Sequence, residues 1–150
     1  MKISLIVFCV GLMVAGLLNS AFASSSAEQA KAMVEEAVAF FNAQGKEKAL
    51  AEINNPKGKF VKGELYVFAY DLGAVVIAHP INPKLIGNDL TNVPDANGKF
   101  FRKEIIELAK TKGVGWVDYK YKNPVTNKAE NKTTYFRKAG DMIIGCGAYK

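Results

Sequence analysis

The stretch Glu64–Pro80, ELYVFAYDLGAVVIAHP, carries two β-strands and one tight turn. Tyr66, Phe68 and Tyr70 alternate with Leu65, Val67 and Ala69, so the first strand has one aromatic face and one aliphatic face. Aromatic and β-branched residues fit such a pleated surface. Asp71 to Gly73 supplies the turn, and GAVVIAH returns as the antiparallel partner. That second strand ends on His79, the only histidine of the chain, and Pro80 follows at once. Proline fixes its own φ and keeps the preceding residue extended, so the imidazole is set at a defined strand end.

Outward from this hairpin the period changes. Upstream, SSSAEQAKAMVEEAVAFFNAQG places Ala30, Met33, Val34, Ala37, Val38 and Phe41 on one helical face. Ser25 with Glu28, and Ser26 with Gln29, are capping-box spacings that open this helix, and Gly45 closes it. A short helix over Lys46 to Ile53 stops at the breaker-rich NNPKGK. Downstream, PINPKLIGNDLTNVPDANGK is too rich in Pro, Asn, Asp and Gly for regular structure, and a loop this long in a compact domain is usually functional. FFRKEIIELAKTKG returns to helical spacing, with Phe101, Ile105, Leu108 and Ala109 on one face. GWVDYKY, KTTYFRKA and MIIGCGAY read as three more strands, the last two joined by a tight turn at Gly140-Asp141. Strands linked by short turns, with helices at the start and middle, predict an α+β domain with an antiparallel sheet of about five strands.

The first residues have a different character. Lys2, an apolar run from Ile3 to Leu18, and the small-x-small site Ala21-Phe22-Ala23 before Ser24 form the pattern of a secretory signal peptide over residues 1–23. The run would make about 24 Å of helix at roughly 1.5 Å per residue, short of a bilayer core of about 30 Å. Cleavage after Ala23 is expected, leaving residues 24–150 as one domain without a transmembrane span, periplasmic or secreted. That product holds a single cysteine, Cys146, so no internal disulfide is available, and a lone thiol in an exported chain survives best when buried. It carries 19 basic against 14 acidic side chains. Its lysines are dispersed, which fits a solvated surface and not a nucleic-acid site.

Few reactive groups remain. One His and one Cys cannot supply the three or four N/S ligands that zinc usually takes. The only serines after Ala23 are Ser24 to Ser26, at the terminus, which excludes a Ser-His-Asp constellation. DANGK has the start of a calcium loop without its remaining ligands, and no glycine loop precedes a helix in the phosphate-cradling pattern. A Cys146–His79 pair is conceivable, but the strand context IIGCGAY favours a small buried thiol. No cofactor, metal or enzymatic activity is expected. What remains is a binding pocket. Aromatic side chains on one sheet face, one imidazole and cationic residues on neighbouring strands suit a small anion with an apolar part. Singly, Tyr66, Phe68 and Tyr70 read as core packing and His79 as a satisfied structural histidine.

Taken together, YVFAYDLGAVVIAHP, IGNDLTNVPDANGKFF, GVGWVDYKYKNP, NKTTYF and IIGCGAYK resemble the single Cache domain, the extracellular sensor module of bacterial chemoreceptors and sensor kinases. The resemblance runs from about Ala27 to Lys150 with order and spacing kept. It implies a PAS-like fold, with a long N-terminal helix on a central antiparallel sheet and a pocket between that sheet and the segment after His79-Pro80. It also implies a small carboxylate ligand of the acetate, propionate, pyruvate or lactate type. The matching positions are Tyr66, Phe68, Tyr70, His79, Trp116, Tyr119 and Lys132. In a receptor a membrane helix follows the last strand, whereas this sequence ends at Tyr149-Lys150. A stand-alone exported sensor is therefore expected, acting in signal transduction or chemotaxis through a membrane receptor or sensor kinase. The alternative is an accessory interaction subunit with a vestigial pocket.

Overall fold

The computed structural model describes residues 25–150. The expected signal peptide and its boundary at residue 23 lie outside the described residues. Helix α1 spans Ser26–Gln44, and Ser25 caps it with a complete capping box to Glu28. Helix α2 (Lys46–Ile53) follows after Gly45. The strands are β1 (Val61–Lys62), β2 (Leu65–Asp71), β3 (Val76–Ala78), β4 (Val114–Lys122), β5 (Ala129–Ala139) and β6 (Met142–Tyr149), and α3 (Phe101–Lys112) precedes β4. They form one antiparallel sheet in the order β1-β2-β6-β5-β4, with β3 on β2. The sheet has six strands where the sequence suggests about five, because the two-residue β1 lies in a segment without readable alternation.

Sheet period assigns each side chain to one of two cores. Leu65, Val67 and Ala69 face α1, where they meet Ala30, Met33, Val34, Ala37, Val38, Ile144 and Cys146. Tyr66, Phe68 and Tyr70 face the opposite way and pack with Phe101, Ile105, Val117, Tyr119 and Phe136 under α3. The loop between His79 and α3 covers this second face, with regular structure in the 3-10 turn Pro83–Leu85 and an isolated antiparallel bridge from Asp89 to Val75. Asp71 holds the β2–β3 turn by accepting the Gly73 and Val75 N–H groups on Oδ1 at 2.8 and 2.9 Å.

Two glycines of β6 keep the second face open. Gly145 stands opposite both Phe68 and Phe136, and a Cβ there would lie 2.8 Å from the Phe68 ring. Gly147 stands opposite Thr134, and a Cβ there would lie 2.1 Å from Lys132 Cε. The Gly-x-Gly of the last strand is thus a steric requirement of the aromatic and lysine side chains that cross it.

Candidate functional site

Lys132 sits on β5 between Tyr119 of β4 and Tyr149 of β6 in the ladder. Sheet alternation turns its side chain to the α3 face, over Gly147, and it is 1% exposed. Its ammonium donates to Tyr66 Oη at 3.0 Å and Tyr149 Oη at 3.2 Å. The rings of Tyr66, Tyr149 and Tyr121 surround it, with centroids at 4.2, 4.6 and 5.3 Å. Among the described residues no carboxylate lies within ion-pair distance of it. Burial is the main cause that lowers its pKa to about 7, partly opposed by the Cys146 thiol and the Glu64 carboxylate. A buried lysine caged by tyrosines and left without a counter-ion is a strong anion-site signature.

His79 lies beside it, 6% exposed, with its ring 5.1 Å from the Tyr66 ring and 6.3 Å from that of Phe68. Its backbone N–H is held by Asn54 Oδ1 at 2.9 Å, and its Nδ1 accepts the Asn82 N–H at 3.0 Å. The acceptor role of Nδ1 places the proton of the neutral ring on Nε2, which makes that nitrogen a donor. Burial, with added repulsion from Lys132 and Arg102, lowers the His79 pKa to about 4. The imidazole therefore serves as a neutral donor at neutral pH.

A cavity of about 310 Å³ opens onto this group. Tyr66, His79 and Tyr121 form its inner part; Ile81 and Asn82 stand on one side, and Lys122, Pro124 and Asn127 of the β4–β5 hairpin on the other. Lys132 lies directly behind the Tyr66 hydroxyl.

The positions expected from sequence divide into three groups. Tyr66 and His79 line the cavity, and Lys132 lies behind them without lining it, its ammonium on the Tyr66 hydroxyl; Lys132 lines a separate cleft with Asp95, Lys99 and Asp118. Phe68 and Tyr70 lie behind the cavity in the buried aromatic cluster, their ring centroids 5.1 Å apart. Tyr119 is committed elsewhere, its hydroxyl 2.8 Å from Thr134 Oγ1 and its ring stacked on Phe101 at 3.8 Å. Trp116 is not brought to this site: it is 40% exposed and packs on Tyr135, which bonds Glu35 of α1. The period of β4 sets this, because Val117, Tyr119 and Tyr121 take the α3 face and Trp116 takes the α1 side. Cys146 likewise faces α1 while His79 faces α3, so no Cys–His pair forms; burial pushes the thiol up to about 12.

Sequence reasoning passed over Tyr121, Tyr149 and Arg102. The spacing Tyr119-x-Tyr121 would have put Tyr121 on the same face, and Tyr149 closes the Gly-x-Gly-x-Tyr strand. Tyr149 also donates to the Lys122 carbonyl at 2.8 Å, tying Lys132 to the hairpin. Arg102 is 4% exposed at the start of α3, donates to the Val93 carbonyl at 3.3 Å and leaves its Nε without a partner. A charged residue in a helix otherwise read as amphipathic gave no sign of burial.

A sheet covered by a long helix on one face and enclosing an aromatic, cation-bearing site on the other defines a PAS-like sensor domain. Residues 21–150 match Single Cache domain 2, and the chain belongs to that family. It is 36% identical over 86 residues to the methyl-accepting chemotaxis protein McpP of Pseudomonas putida, a match covering 56% of this chain and 16% of that receptor. Among solved structures, the periplasmic sensor domain of a chemotaxis protein shares 26% identity at a TM-score of 0.65, covering 82% of this chain and 89% of that one. A Cache chemosensory domain studied for carboxylic acid recognition shares 29% identity at a TM-score of 0.64, covering 82% and 87%. A methyl-accepting chemotaxis protein of Vibrio parahaemolyticus has the same fold at a TM-score of 0.69 and 22% identity, covering 81% and 86%. Among the described residues, no helix is long and apolar enough to cross a membrane.

Proposed function

We propose that this Cache domain binds a small organic acid through its carboxylate and acts as a non-enzymatic sensor outside the cytoplasm. The observation that carries this is Lys132, a buried ammonium with no acidic partner among the described residues. A carboxylate brought against it offsets the desolvation of both charges. The third N–H of Lys132, the Tyr66 hydroxyl and the His79 Nε2–H are the donors for its two oxygens. Tyr121 and the cavity walls enclose the carbon chain. Carboxylic acid recognition by a related Cache domain supports the ligand class.

Export supported by the N-terminal pattern, and a membrane receptor or kinase as partner, complete this proposal. The alternative, an accessory subunit with a vestigial pocket, is less favoured. Retaining an unneutralised buried lysine costs stability that an unused pocket would not offset.

A thermal-shift screen of the protein against small mono- and dicarboxylates at pH 6.5 tests this function. Stabilisation by at least one acid, absent in Lys132→Met, is expected. No shift with any carboxylate, or an equal shift in the variant, overturns it.

A further inference from the structure

The DANGK turn, Asp95 to Lys99, starts like a calcium loop and lacks the rest of one. Its side chains are committed to the sheet instead. Strand β4 is the last of the sheet on its side: among the described residues no strand pairs with it beyond β5. An edge strand of nine residues presents a row of unpaired N–H and C=O groups to which another chain can add.

In the middle of β4 these groups are already taken. The Lys120 N–H donates to Asp95 Oδ2 at 2.8 Å, and the Asp118 carbonyl accepts the Lys99 ammonium at 2.6 Å. A carboxylate thus stands where a further strand would offer a carbonyl, and an ammonium where it would offer an N–H. The turn is braced for this. Asp95 Oδ1 accepts the Asn97 and Lys99 N–H groups at 2.9 and 2.8 Å, and the Asp95 N–H donates to the Lys99 carbonyl at 2.9 Å. Gly98 takes the left-handed conformation, φ 83°, that closes the turn. Glu104 of α3 fixes the Lys99 ammonium at 2.9 Å.

The charges of β4 say what the bare edge would accept. Asp118 and Lys120 turn their backbone groups outward, and by alternation Tyr119 turns its own toward β5. A second β4 laid antiparallel with Tyr119 opposite Tyr119 keeps the outward groups in register. It also sets Asp118 directly opposite Lys120 of the second copy, twice, as favourable cross-strand pairs. A slip of two residues either way would set Asp118 on Asp118 or Lys120 on Lys120. Lys120 forms no ion pair among the described residues, and Asp118 holds only the exposed Lys150, at 2.8 Å.

We infer that the Asp95–Lys99 turn is a strap that closes the β4 edge, and that the partner it keeps out is a second copy of this chain pairing β4 to β4. This does not depend on the ligand proposed above.

Amide hydrogen exchange and sedimentation velocity test the inference. In Asp95→Ala the Lys120 amide exchanges roughly ten- to a hundredfold faster than in wild type, as the loss of one charged hydrogen bond dictates, while the Tyr119 amide keeps its rate. Asp95→Ala/Lys99→Ala self-associates more tightly than wild type between micromolar and millimolar concentration. Lys120→Glu added to that variant sets like charges opposite one another and weakens the association roughly fivefold or more. Where the double variant does not fold, Lys99→Ala, which keeps the Asp95 hydrogen bonds, is read the same way. A Lys120 amide indifferent to Asp95→Ala, unstrapped variants that associate no more than wild type, or an association untouched by Lys120→Glu overturns the inference and leaves the carboxylate site standing.

Discussion

Replacing Lys132 with Met is expected to stabilise the ligand-free protein while abolishing carboxylate binding. Methionine keeps the length of the side chain and removes its charge. A fall in the lysine pKa from 10.5 to about 7, at about 1.36 kcal/mol per pH unit, means the charged form costs the fold about 5 kcal/mol below pH 7. At pH 7 about 4 kcal/mol of this remains. Against it, the variant leaves the Tyr66 hydroxyl short of a partner, about 1–2 kcal/mol, and loses ring contacts of roughly 0.5–1 kcal/mol. A net gain of about 1–2 kcal/mol follows, or roughly 4–8 °C in Tm for a domain of this size. The sign of the pH dependence is distinctive. Between about pH 7 and 10.5 the unfolded chain holds the lysine proton that the folded chain releases, so the penalty falls and Lys132 makes wild-type stability rise with pH across that window. In Lys132→Met this component is missing. Urea melts of both proteins at pH 6, 7, 8 and 9 measure it. A variant destabilised by more than about 1 kcal/mol at pH 7 would show that the ammonium is compensated in the free protein, and an unchanged pH slope would refute the reasoning.

Carboxylate affinity should weaken as pH rises above about 7, approaching tenfold per pH unit, because the acid binds the ammonium form; calorimetry from pH 6 to 9 reads this directly. His79→Ala should weaken binding by roughly tenfold with a factor constant from pH 6 to 8, since the ring is already neutral there, contrary to the pH-sensitive role an isolated imidazole suggests. Gly147→Ala forces a Cβ into Lys132 Cε and Thr134 Oγ1 and should cost about 1–3 kcal/mol of stability, measured by thermal melts, with loss of binding in whatever protein remains folded. Trp116→Ala should leave carboxylate affinity within about twofold of wild type, because its ring packs on Tyr135 on the α1 side.

Most of the fold is written in local pattern. The helical spacing from Ala30 to Phe41 and the strict alternation of β2 each match the buried faces observed, because one-sided burial imposes period on sequence. β1 escaped because two residues carry no period. For the candidate site, the places of Tyr66 and His79 beside the cavity were legible from an aromatic strand and a His-Pro end. Lys132 was legible only through family resemblance, since in isolation a strand lysine reads as solvated. Its burial depends on Gly147 two strands' worth of chain away and on tyrosines from three other strands. Trp116 matched in motif but not in place: one residue of strand parity separates the cavity face from the helix face. Arg102 lay beyond reach because a helix pattern gives no warning that a loop will fold over a polar position.

The most direct test of the central claim is the titration of Lys132 itself, followed by NMR of its side-chain Cε and Nζ in the free protein and with a saturating concentration of the acid that stabilises the protein most in the thermal-shift screen. The account predicts a midpoint near 7 without ligand and a rise of at least one pH unit when the acid is bound. Binding of that acid that leaves the Lys132 midpoint unmoved would contradict it, and would place the carboxylate elsewhere in the domain.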